Sequence, residues 1–138
     1  MLYPAFLAVV LVADSMTLEL SAPDHVRAGE PVPITLSVTN HGAAPATLYL
    51  RGRPIAFDIV VTDALGKTVW RRLQGAVTSM VLQVRQLNPQ ETLTLQDSWP
   101  QRTNAGEPVP PGEYHLKGQV LTDKKPLETA SVSLRITR

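Results

Sequence analysis

Residues 33–40 read Pro33-Ile34-Thr35-Leu36-Ser37-Val38-Thr39-Asn40. In an extended chain Ile34, Leu36 and Val38 fall on one side and Thr35, Ser37 and Thr39 on the other, because successive side chains of a strand point to opposite faces. That alternation predicts a strand with one face in a core and one in water. Asn40-His41-Gly42 follows at once and supplies turn residues.

The pattern recurs on both sides of this strand. Residues 16–21 alternate in the same way, and 47–50 form a third short run. In 55–62 Ile55, Phe57, Ile59 and Val61 share one face, with Asp58 and Thr62 on the other. Asp63-Ala64-Leu65-Gly66-Lys67 is a short glycine-containing loop into Thr68-Val69-Trp70, a hairpin pattern. Residues 80–84, 92–96, 114–121 and 130–137 complete the expected strands. No long helical period appears. Most of the twelve prolines lie between these runs or at their first positions, where a ladder loses an N–H harmlessly. The fold class is therefore all-β, an immunoglobulin-like antiparallel β-sandwich of about eight or nine strands.

A chain of 138 residues with 43% hydrophobic and 18% charged side chains fits one globular domain with a proper core. Its thirteen Lys and Arg against twelve Asp and Glu leave a net charge of +1, too little to draw in nucleic acid or an anionic membrane by bulk electrostatics. The absence of cysteine excludes disulfides, a thiol nucleophile, thiolate-bound zinc and lipid attachment through Cys.

The sandwich is expected over 16–138, and residues 1–15 admit three readings. The apolar run from Ala5 to Val12 is too short to span a bilayer as a helix, so no integral membrane segment is expected. It could serve as the hydrophobic part of a secretory signal, with Ala13-Asp14-Ser15 as a small-x-small cleavage site, although no Lys or Arg precedes it. It could equally be an extra strand packed on the domain, or lie upstream of a natural start at Met16. Localisation, cytoplasmic or exported, turns on this choice.

Catalytic signatures are missing. His25, His41 and His115 are the only side chains with an ordinary pKa near neutrality, and no two stand at metal-ligand spacing. The sequence has no G-x-S-x-G elbow, phosphate-cradling glycine loop, H-E-x-x-H or calcium loop. The expectation is a non-enzyme without cofactor or metal. Trp70 and Trp99 are expected in the core. Arg51, Arg53, Arg71, Arg72, Arg85 and Arg102, with few aromatics among them, read as solvated strand faces.

Function then falls to the loops. The longest irregular stretch, 100–111, is rich in proline and reads as a mobile or protruding loop. This loop, or the turn at 51–54, is the expected contact surface, which makes Arg102, Asn104 and Glu107 in the one and Arg51 and Arg53 in the other the candidate protein-contact residues.

Two segments carry a family resemblance. The run from Phe57-Asp58 through Val61, Asp63 and Gly66 to Val69-Trp70 has an F-D-x-x-V-x-D-x-x-G-x-x-V-W pattern, and Leu87-Asn88-Pro89-Gln90-Glu91 matches an L-x-P-G-E turn except at Gln90. Trp99 and Pro111-Gly112-Glu113-Tyr114 add a later tryptophan and a P-G-x-Y strand entry. Together, over roughly 31–137, these resemble the bacterial intracellular proteinase inhibitor family, BsuPI. The sequence departs from that family at Gln90, where glycine is usual, and at Arg71-Arg72, where another aromatic is usual. The resemblance implies an immunoglobulin-like, non-catalytic protein-binding module whose partner is a protein, possible targets being subtilisin-like serine proteases. Presented as an inhibitor, one loop would be extended and held rigid in the protease cleft. The alternative is a structural or accessory domain of the cell envelope that pairs through an exposed sheet edge.

Overall fold

The computed structural model describes residues 5–13, 15–76 and 81–138. Met1 to Pro4, Asp14 of the small-x-small site, and Met80 at the start of the expected 80–84 strand lie outside the described residues.

The chain is all-β. One sheet has the order β1 (Ala5–Ala13), β2 (Met16–Pro23), β4 (Val32–Asn40), β9 (Thr92–Trp99). The facing sheet has the order β3 (His25–Arg27), β12 (Val132–Thr137), β10 (Gly112–Val120), β6 (Phe57–Asp63), β7 (Thr68–Arg71), with β11 (Leu127–Glu128) also on β10. A separate ribbon joins β5 (Ala46–Arg51) to β8 (Leu82–Leu87). All pairings are antiparallel except that of β3 with β12. All nine expected strands are present, with shifted ends; β1, β3 and β11 are additional. β3 and β11 are two or three residues long and exist through their neighbours, so no alternation announces them. Ala5–Ala13 takes the extra-strand arrangement, paired along β2 from Ala5↔Pro23 to Ala13↔Met16. No helix among the described residues is long and apolar enough to cross a membrane.

The core follows from the alternation. Leu18 and Leu20 of β2 and Ile34, Leu36 and Val38 of β4 meet Ile59 and Val61 of β6, Leu116 of β10 and Leu134 and Ile136 of β12, all essentially inaccessible. Burying each such side chain contributes about 1.5–3 kcal/mol. The sheets approach so closely at Gly118 that a Cβ there would overlap the Leu36 side chain, and glycine makes that contact feasible. Trp99 is fully buried, as expected, and packs edge-on against Tyr114 with ring centroids 5.6 Å apart. Trp70 is only half-buried, 6.4 Å from Trp99.

The polar exceptions have partners. Asn40 donates from Nδ2 to the carbonyls of Ala44 and Leu87 and accepts the Gly42 N–H. Asp58 faces away from the core, as its place in the alternation requires, but it is buried. Its Oδ1 accepts the N–H groups of Ile59 and Leu73, and its Oδ2 lies 3.1 Å from Arg71 Nη2.

Candidate functional site

The 100–111 connection leaves β9 at Trp99 and enters β10 at Gly112, and it is fastened at every stage. Gln101, at φ 60°, turns its side chain inward beneath the β3–β4 turn. There Oε1 accepts the Gly29 N–H at 3.1 Å, and Nε2 donates to the carbonyls of Arg27 (2.7 Å) and Glu30 (2.6 Å). The two arms pair through an Arg102↔Pro108 bridge and a Val109 N–H to Gln101 carbonyl bond of 3.0 Å. At the tip Thr103 N–H donates to Glu107 O (2.8 Å) and Gly106 N–H to Thr103 O (2.9 Å), a closed turn that uses the positive φ of Gly106, 90°. Trp99 Nε1 donates to Arg102 O at 2.9 Å, and the Tyr114 hydroxyl donates to Pro110 O at 2.5 Å. Burial, then the nearby Asp63 carboxylate, raises the Tyr114 pKa above its ordinary value.

Asn104 joins the tip to the edge of the second sheet. Its Oδ1 accepts the Arg71 N–H and its Nδ2 donates to the Arg71 carbonyl. Arg71 is held in turn by the buried Asp58, so the tip is tied through two residues to the body of the sandwich. Arg72 closes the gap between the sheets: Nε meets Asp97 at 2.7 Å, Nη1 donates to Phe57 O, and the guanidinium lies 3.7 Å over the Phe57 ring. That stacking gives Arg72 a structural role where the family pattern has an aromatic.

The loop, expected to be mobile or protruding, is thus braced. It protrudes with an exposed tip over 104–107, but the tip is a turn and not an extended segment. Arg102, Asn104 and Glu107 come together on it. Arg102 is exposed and bonds Gly106 O, Glu107 is exposed, and the Asn104 amide is engaged with Arg71. Beside them Ala28, Gly29, Pro31, Pro100, Pro108 and Val109 line a shallow groove of about 340 Å³. Nothing in the sequence marked Gln101, since glutamine is usually exposed; proline and glycine content marked only where the loop lies.

Arg51 and Arg53 are elsewhere. Arg51 N–H donates to Leu121 O, just past the end of β10, whereas the 100–111 loop feeds its beginning. The nine residues of β10 separate the two groups by about 30 Å. The two candidate loops therefore lie at opposite ends of the sandwich, with Arg102, Asn104 and Glu107 at one and Arg51 and Arg53 at the other.

The histidines are dispersed. His41 Nε2 pairs with Thr17 Oγ1, and His25 Nδ1 with Asp24. His115 stands between Ser133 (3.5 Å) and Glu113 (3.9 Å) on the outer face of β10 and β12. The second distance exceeds hydrogen-bond reach, so these are neighbours on a strand face and not a proton relay. Among the described residues no group of three or more His, Asp or Glu could hold a metal ion.

Fold and loop together define a β-sandwich with a braced terminal loop. The family model for BsuPI, intracellular proteinase inhibitor, matches residues 19–125, and the chain belongs to that family. Comparison with curated proteins finds no match. Among solved structures, the C-terminal domain of wzt is similar at TM-score 0.55 and 10% identity, covering 99% of this chain and 81% of that one. A β-glucosidase from Listeria innocua in complex with isofagomine gives TM-score 0.48 and 11% identity over 89% of this chain, which spans only 16% of the enzyme. The likeness to the wzt domain supports the fold alone.

Proposed function

We propose that this chain is a non-catalytic proteinase-binding module that works through the loop at 100–111, with a serine protease of the subtilisin type as its target. The carrying observation is the bracing of that loop. Ordering a loop on binding costs affinity, and here Gln101, Asn104 and Tyr114 hold it before any partner arrives. Membership in an inhibitor family supports a protease as the partner. The closed turn at 103–106 fits a wedge better than a substrate-like strand, because proteases take cleavable segments in extended form. Arg102 and Glu107 supply the exposed charges, and the proline-lined groove supplies the apolar contact.

Titration of a subtilisin-type protease with the intact chain, followed by hydrolysis of a small peptide substrate, tests this. Stoichiometric loss of activity with the chain recovered uncleaved is the expected result. Undiminished activity in the presence of folded chain overturns it.

A further inference from the structure

The β5–β8 ribbon, at the other end of the molecule, presents an apolar row. Tyr49 and Val84 are directly opposed, and Leu82 lies next to them on the same face. They are 50%, 68% and 48% exposed. Bond direction alternates along an antiparallel pair. Gly52 N–H donates to Val81 O, so the groups of Gln83 and Arg85 face β5 while those of Leu82, Val84 and Gln86 face outward. The same alternation turns Tyr49 and Arg51 away from β8, and both are satisfied: Asp123 N–H donates to Tyr49 O and Arg51 N–H to Leu121 O. The 121–123 segment covers β5's outer edge, whereas among the described residues no strand covers that of β8.

Charge selects the occupant. Arg51, Arg53, Arg85, Lys124 and Lys125 surround the ribbon with Asp123 among them, while Asp58 and Glu128, the acids that next follow Arg53 and Lys125 in sequence, are paired with Arg71 and Lys117. Among the described residues none of the five is in an ion pair, whereas Arg71, Arg72 and Lys117 are. A second copy of the chain would bring the same cations edge to edge, and they would repel. We infer that the open edge of β8 receives an extended acidic peptide as an added strand, its apolar side chains continuing the Tyr49–Val84–Leu82 row and its alternate carboxylates meeting Arg85. This surface is independent of the proteinase reading.

The test uses fluorescence anisotropy of a labelled synthetic peptide of alternating valine and glutamate, with a valine–lysine peptide as control, against the full chain. The valine–glutamate peptide is expected to bind, more weakly as salt rises, and the control is not. V84P removes an outward N–H without breaking the β5 ladder and should weaken binding about tenfold or more. R85E, which changes only an exposed side chain, should reverse the preference between the two peptides and keeps the test decisive if V84P does not fold. Inhibition of the protease should survive both changes. Equal binding of both peptides, no binding, indifference to R85E, or sedimentation showing two copies joined through β8 each overturns the inference.

Discussion

The side-chain amide of Asn104 does for Arg71 what a neighbouring strand would do, accepting its N–H and donating to its carbonyl, both at 2.9 Å. A residue in a loop thereby becomes an extension of the second sheet. Asn104→Ala removes both bonds and should cost about 1–2 kcal/mol. Amide exchange at 103–107 should accelerate and inhibition should weaken by more than the stability loss explains. Unchanged exchange at the tip would show that the brace lies elsewhere.

Tyr114 links stability to alkaline pH. Its raised pKa means that the folded chain keeps the phenol proton while the unfolded chain has released it. The stability that this group contributes should therefore be fully present at neutral pH and be lost as pH rises above the ordinary tyrosine range, about 10. Tyr114→Phe should remove that decline and cost about 1 kcal/mol at neutral pH through the lost bond to Pro110. Urea denaturation across alkaline pH measures both.

Gln90 holds φ at 67°, in the left-handed region, at the position where the family pattern places glycine. The backbone demand was kept while the residue suited to it was not. Gln90→Gly should stabilise the chain by up to about 1 kcal/mol, seen as a higher urea midpoint with an unchanged slope. A loss of stability would mean that the Gln90 side chain outweighs its backbone strain.

Gly118→Ala should act in the opposite direction. The added methyl meets Leu36 of the facing sheet, and overpacking of this kind costs about 1–3 kcal/mol. Pairing it with Leu36→Ala should restore part of the loss, which a double-mutant cycle would reveal as coupling.

The strands legible in the sequence are those with one buried face. Leu18 and Leu20, Ile34 to Val38, and Leu134 and Ile136 announce themselves because a one-residue slip would turn them all into water. The expected strand over 80–84 lies two or three residues early of β8, because the alternating Leu82 and Val84 are exposed and only its last residue, Leu87, is buried. The candidate site was legible as a location and not as a mechanism. Proline and glycine revealed the loop, but the bonds that brace it join Gln101 to Arg27 and Asn104 to Arg71, across separations no local pattern encodes. The turn at 51–54 was equally legible as a loop, but local sequence carries no information about which end of β10 a loop occupies, so only the fold separates Arg51 and Arg53 from Arg102.

A protease held by this chain should sit at the 100–111 end. Amide hydrogen exchange of the chain, alone and with an active-site-blocked subtilisin, tests this directly. Slowed exchange should appear at Arg102 to Glu107 and at Ala28 and Gly29 beside the groove, with Leu82, Val84 and Gln86 unchanged. Exchange unaltered throughout, or slowed only along β8, would contradict the account.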